Sequence, residues 1–98
     1  MFIIRDVFRL QFGHYKEAKA LLEEAANNGM LPDAKFTRVL TDFTGDAYRL
    51  IFEEGYETLA EYEKSLSESM GRSEWKAWYN RFKPHVISSH REILKQVM

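Results

Sequence analysis

Apolar and polar positions alternate most sharply in two stretches, Phe36–Phe43 and Tyr48–Phe52. Joining them at Gly45-Asp46 predicts a β-hairpin. In that register Asp42 faces Arg49, Leu40 faces Ile51, Val39 faces Phe52 and Arg38 faces Glu53. Because successive strand residues point to opposite faces, Val39, Thr41, Phe43, Tyr48, Leu50 and Phe52 share one side. The other side carries Arg38, Leu40, Asp42, Arg49, Ile51 and Glu53. The first face needs a cover. The second holds two opposite-charge cross-strand pairs around an aliphatic pair, each worth about 0.2–1 kcal/mol. A slip of one residue would lose both matches and mix the faces.

The same reading extends along the chain. Phe2 to Leu10 is rich in β-branched and aromatic residues and predicts a first strand, with Phe2, Ile4, Phe8 and Leu10 on one face and Ile3, Arg5, Val7 and Arg9 on the other. From Tyr15 to Asn28, apolar residues recur at three- and four-residue spacing (Tyr15, Ala18, Leu22, Ala25), the signature of a helix stopped at Asn28-Gly29. Thr58 with Glu61 opens a second helix whose stripe is Leu59, Tyr62, Leu66 and Met70. Ser73 is placed to cap a short third helix bearing Trp75, Trp78, Tyr79 and Phe82, which Pro84 ends. Val86 to Val97 predicts a last strand, with a helix as the competing reading, since Ile87, Arg91 and Leu94 also fit helical spacing. The order strand, helix, strand, strand, helix, helix, strand predicts an α+β domain over residues 1–98. Its architecture is a ferredoxin-like four-stranded antiparallel sheet with helices on one face.

Composition narrows the class. The 98 residues are 45% hydrophobic, enough for a core, and contain no cysteine for a disulfide, a thiolate metal site or thiol catalysis. A net charge of −1 argues against a general nucleic-acid or anionic-membrane surface, which needs excess positive charge. Charge arrives early at Arg5-Asp6, before a signal-peptide core, and no apolar run approaches the ~20 residues of a membrane span. A soluble cytoplasmic protein is the expectation. The three histidines follow no metal-ligand spacing, and neither a metal nor a cofactor is expected. RNA-recognition domains stack bases on aromatics of the open sheet face, whereas here Phe43, Tyr48 and Phe52 are assigned to the helix side.

The open face has a character of its own. Ile3, Val7, Leu40 and Ile51 recur in the middle of an otherwise charged surface on three strands, and contiguous exposed apolar area marks an interface. These four are candidates for a homodimer in which two sheets close on each other.

Arg5-Asp6-Val7-Phe8-Arg9-Leu10-Gln11-Phe12-Gly13 resembles the opening strand-to-helix segment of NIPSNAP-type proteins. The run Trp75/Trp78–Phe82–Pro84, leading into Ser88-Ser89-His90-Arg91-Glu92-Ile93-Leu94, is similar to their closing helix and strand. The resemblance implies the dimeric α/β-barrel superfamily, shared with antibiotic-biosynthesis monooxygenase-like and EthD-like domains. It further implies a homodimer with a pocket between each sheet and its helices. It implies no activity, and a fold by itself does not supply one.

Trp75, Trp78 and Tyr79 are candidates to line such a pocket, with Arg5, Arg9, Arg49 or His90 as a polar group for an acidic or phenolic ligand. Core packing is the plainer role for the aromatics, and pairing with Asp42 the plainer role for Arg49. The expected function is binding of a small apolar or aromatic ligand, without established catalysis. The alternative is a small monooxygenase, haem-dependent or cofactor-independent. Haem-degrading members of the superfamily use a first-strand asparagine with a tryptophan and a histidine. Here Asp6 stands on that strand beside Trp75 and His85, and an ionised carboxylate cannot donate the amide hydrogen bond.

Overall fold

The computed structural model describes residues 1–98. Strand β1 (Phe2–Leu10) leads into helix α1 (Tyr15–Asn27), then β2 (Phe36–Thr41) and β3 (Arg49–Tyr56). Helices α2 (Leu59–Met70) and α3 (Ser73–Phe82) follow, and a single 3-10 turn at Lys83–His85 delivers the chain to β4 (Val86–Lys95). The strands form one antiparallel sheet in the order β2-β3-β1-β4. This is the ferredoxin-like α+β arrangement. The final segment is a strand, as the first of its two readings had it, ending at Lys95 rather than Val97. No helix is long and apolar enough to cross a membrane.

The β2–β3 pairing is the one predicted: Arg38 opposite Glu53, Val39 opposite Phe52, Leu40 opposite Ile51. The loop is not. The ladder stops at Thr41–Leu50, and residues 42–48 form a longer connection in which Phe43 is fully exposed, not packed under the helices. Side chains take over from the backbone there. Asp42 accepts from the Arg49 guanidinium at 2.7 Å and from the Arg49 backbone N–H at 3.3 Å. The Thr41 hydroxyl donates to the Arg49 carbonyl at 2.8 Å. Tyr48 then adopts a left-handed φ of 63°, and its carbonyl accepts from the Leu10 N–H at 2.8 Å. That conformation costs a non-glycine residue about 1 kcal/mol. Val39 also remains 45% exposed, because β2 is an edge strand lying outside the helix layer.

Even-numbered residues of β1 and β3 face the helices and build two apolar clusters. Leu10 and Leu50 pack with Ala18, Leu21 and Leu22 of α1 and Phe82 of α3. Ile4 and Tyr56 pack with Tyr62 of α2. Two helix starts differ in quality. At α2 the Glu61 N–H donates to Thr58 Oγ1 at 3.2 Å, as its spacing predicts. At α3, Arg72 occupies the cap position and Ser73 is already the first helical residue, so the expected serine cap is not made.

The helix-free face is banded across its strands. One row is Phe36, Gly55, Ile3 and Leu94, and the next is Arg38, Glu53, Arg5 and Glu92. A third is Leu40, Ile51, Val7 and His90, and a fourth places Arg49, Arg9 and Ser88 beside Asp42. The charged second row is internally neutralised. Glu53 accepts from Arg5 Nε at 2.7 Å and from Arg38 Nε at 2.6 Å, and Arg5 reaches Glu92 at 3.4 Å. In the first row, Phe36 lies on Gly55 so closely that a Cβ at position 55 would stand 2.2 Å from the ring.

Candidate functional site

Between the two apolar clusters the helix-facing side of the sheet carries Asp6 and Phe8 on β1 and Phe52 and Glu54 on β3, and these line a cavity of about 940 Å³. Its volume lies in the range of small-molecule sites. The wall opposite the sheet comes from α3. Trp75 stacks on Tyr79 with centroids 4.8 Å apart, and Trp78 stacks on Phe82 at 4.8 Å. Phe82 meets Phe8 edge-on at 5.2 Å. Trp78 is fixed in this pose because its indole N–H donates to the Leu21 carbonyl at 2.7 Å. Met30, Leu31 and Pro32 of the connection after α1 close one end.

The cavity is aromatic along one wall and polar at one end. Tyr56 Oη donates to Glu54 Oε2 at 2.6 Å and lies 3.2 Å from Ser65 Oγ on α2. Asp6 accepts from Arg91 Nε at 2.5 Å, and the Arg91 guanidinium sits 5.9 Å from the Tyr62 ring centroid. Tyr62 is 8% exposed, and its hydroxyl has no hydrogen-bond partner in the chain. Burial raises the Glu54 carboxyl above its ordinary value, and the Tyr56 hydrogen bond only partly opposes that shift. Burial, with the neighbouring Glu54 carboxyl, likewise raises the Tyr56 phenol. Tyr62 is raised by burial as well. For Arg91, burial is outweighed by the Asp6 hydrogen bond, so its charge is held firmly.

Trp75, Trp78 and Tyr79, singled out from their helical spacing, all line this cavity. Arg5 and Arg9 do not reach it. Both occupy odd positions of β1, on the helix-free face, where Arg5 is held by Glu53 and Arg9 approaches Asp46 at 3.7 Å. His90 borders the cavity, but its pairing with Val7 across β1–β4 directs its side chain toward the helix-free face, where it contacts Glu92 at 3.7 Å. The residues Ile3, Val7, Leu40 and Ile51 lie together on the helix-free side.

The asparagine-type constellation is also dispersed. Asp6 and Trp75 line the cavity, whereas His85 Nδ1 is 2.9 Å from His14 Nδ1 beside the start of α1. Sequence reasoning missed the polar end of the cavity. Asp6 interrupts the apolar face of β1 by parity alone, and Glu54 emerges on the same face once β3 is continued two residues past Phe52. Those interruptions were the available signal.

No protein-family model matches the sequence, and no curated protein matches it. Solved structures do match its fold. A NIPSNAP family protein of unknown function from Agrobacterium tumefaciens superposes with a TM-score of 0.88 at 12% identity, over 98% of this chain and 87% of that one. An uncharacterized NIPSNAP domain protein from Burkholderia xenovorans gives 0.84 at 14% identity, over 99% and 95%. An antibiotic biosynthesis monooxygenase gives 0.74 at 11% identity, over the whole of both chains. The chain therefore has the fold of NIPSNAP proteins, shared with antibiotic biosynthesis monooxygenases. At these identities the likeness is one of fold.

Proposed function

We propose that this chain is a homodimeric ligand-binding protein that holds a small apolar or aromatic molecule between its sheet and its helices. The cavity bounded by Phe8, Phe52, Trp75, Trp78 and Phe82 carries this reading, because most of its lining is apolar or aromatic and the buried pair Glu54 and Tyr56 places polar groups at one end. The dimer rests on the banded helix-free face. Its apolar row of Leu40, Ile51 and Val7 lies beside a row of arginines and glutamates already paired within the chain. Charges that enter an interface paired avoid the larger cost of burying them alone.

Two measurements test this reading. Calorimetric titration with a naphthalene should give saturable binding at one site per chain, weakened by Trp78→Ala. Sedimentation at micromolar concentration should give twice the chain mass of 11.6 kDa, with Ile51→Lys shifting it to the single-chain value. No saturable binding would remove the ligand role, and a wild-type monomer would remove the dimer.

A second reading, oxygenation of the same ligand, is favoured by the whole-chain fold likeness to an antibiotic biosynthesis monooxygenase. Oxygen uptake with phenolic naphthalenes, with and without haemin and a reductant, separates it from binding alone.

A further inference from the structure

The cavity reading above is the ground for a narrower assignment. We propose that the polar end of the cavity receives the neutral carbonyl oxygen of an otherwise apolar ligand, with the Tyr62 hydroxyl and the Glu54 carboxyl proton as its two donors.

Tyr62 contributes the first half of the argument. Its hydroxyl is buried at the cavity lining and has no acceptor in the chain, which is unusual for a buried polar group. A ligand acceptor would complete it.

Glu54 contributes the second. With the Tyr56 hydroxyl proton on the nearer acceptor, Oε2 at 2.6 Å rather than Ser65 Oγ at 3.2 Å, a proton on the carboxyl belongs to Oε1, which has no side-chain partner. Burial of Glu54 favours this neutral acid over the carboxylate.

The charged groups around Glu54 favour a neutral head group over a charged one. Asp6 faces it from β1 and Arg91 from β4, and these two are bonded to each other. Tyr62 faces it from α2 and Tyr56 from its own strand, while its neighbour on β2 is the uncharged Thr37. A ligand carboxylate at this end would meet two acidic side chains, and the cation beside them, Arg91, already donates its Nε–H to Asp6; the other cation lining the cavity, Lys83, stands over the Tyr79 ring. A ligand ammonium would find Asp6 already bonded to Arg91, and a Glu54 carboxyl whose charged form burial disfavours. Two donors without acceptors match a neutral oxygen, as in an aryl or alkyl ketone, a quinone or a lactone. The rest of such a molecule lies against Phe8, Phe52, Trp75 and Trp78.

The test is a calorimetric comparison of acetylnaphthalene, ethylnaphthalene and naphthoate, in mildly acidic and mildly alkaline buffer. The ketone should bind about threefold to tenfold more tightly than either relative in acid, the range expected for one net hydrogen bond or slightly more. That preference should fade as pH rises through the raised Glu54 value and the acid loses its proton. Tyr62→Phe should reduce it at both pH values while leaving the thermal midpoint unchanged or higher, since the deleted hydroxyl has no protein partner. Glu54→Gln retains an N–H donor and should make the preference independent of pH. Equal binding of ketone and hydrocarbon, or tightest binding of naphthoate, overturns this assignment while leaving the cavity as a ligand site. Failure of all three compounds to bind removes the cavity reading and this assignment together.

Discussion

Glu53 and Glu54 are adjacent in the chain and almost equally buried, at 2% and 5% exposure, yet the two faces of the sheet treat them in opposite ways. Glu53 looks to the helix-free side. Burial there opposes its charge, but hydrogen bonds from Arg38 and Arg5 win and hold its carboxyl below the ordinary value. Glu54 looks into the cavity, with a phenol as its one side-chain partner and no bonded cation, and burial raises it. One face has settled its electrostatics within the chain. The other keeps a buried phenol hydroxyl, that of Tyr62, with no partner in the chain. Burial alone therefore does not say what a carboxylate is for; the partners that reach it do.

The comparison can be broken by substitution, most severely at Glu53. Glu53→Ala removes the shared acceptor of two arginines and should cost about 2–4 kcal/mol in chemical denaturation. The sign with pH follows from the lowered carboxyl. Its contribution is complete above the ordinary carboxylate range and is lost as pH falls through the lowered value, so wild type and variant should converge in acid. Gly55→Val comes next, since its side chain would collide with Phe36 and displace the ring; about 1–3 kcal/mol is expected, with part recovered in a Phe36→Ala background.

On the cavity side the effects are smaller. Tyr56→Phe leaves Glu54 without its donor and should cost about 1–2 kcal/mol by thermal melting. Glu54→Gln should change stability by less than about 1 kcal/mol at pH below the ordinary carboxylate value, where the amide replaces a protonated acid of similar shape. Here the sign is reversed. The raised carboxyl contributes fully below its ordinary value and loses that contribution as pH rises through the raised one, so the Gln variant should become the relatively more stable protein in alkali. Equal pH profiles for the Glu53 and Glu54 variants would defeat the contrast.

The fold was largely legible because each strand had one apolar face, and a register that matched Arg38 with Glu53 and Leu40 with Ile51 satisfied both faces at once. The hairpin tip was not. Phe43 fits the alternation, but Asp42 bonds to Arg49 through its side chain and releases the backbone from the ladder. Alternation cannot register a side chain that substitutes for a strand bond. The site was half legible. Trp75, Trp78 and Tyr79 announced themselves by spacing. Arg5 and Arg9 suggest a ligand contact by their charge, but parity puts both on the helix-free face; His90 shares that parity yet still borders the cavity. Asp6 and Glu54 are the converse case, placed by parity on the apolar face where a charge is least expected. The His14–His85 contact joins residues 71 positions apart, and no local pattern foretells it.

The position of β1 bears on how the molecule is made. It is the first strand to be synthesised but lies inside the sheet, between β3 and β4, so both of its edges wait for partners encoded much later. While a ribosome is still translating the helices, one rim of β1 exposes bare amides and carbonyls to any extended segment nearby. Sheet closure thus belongs to the moment after β4 emerges, and a chain stalled before Val86 would present an adhesive seam where the finished protein has an interior strand.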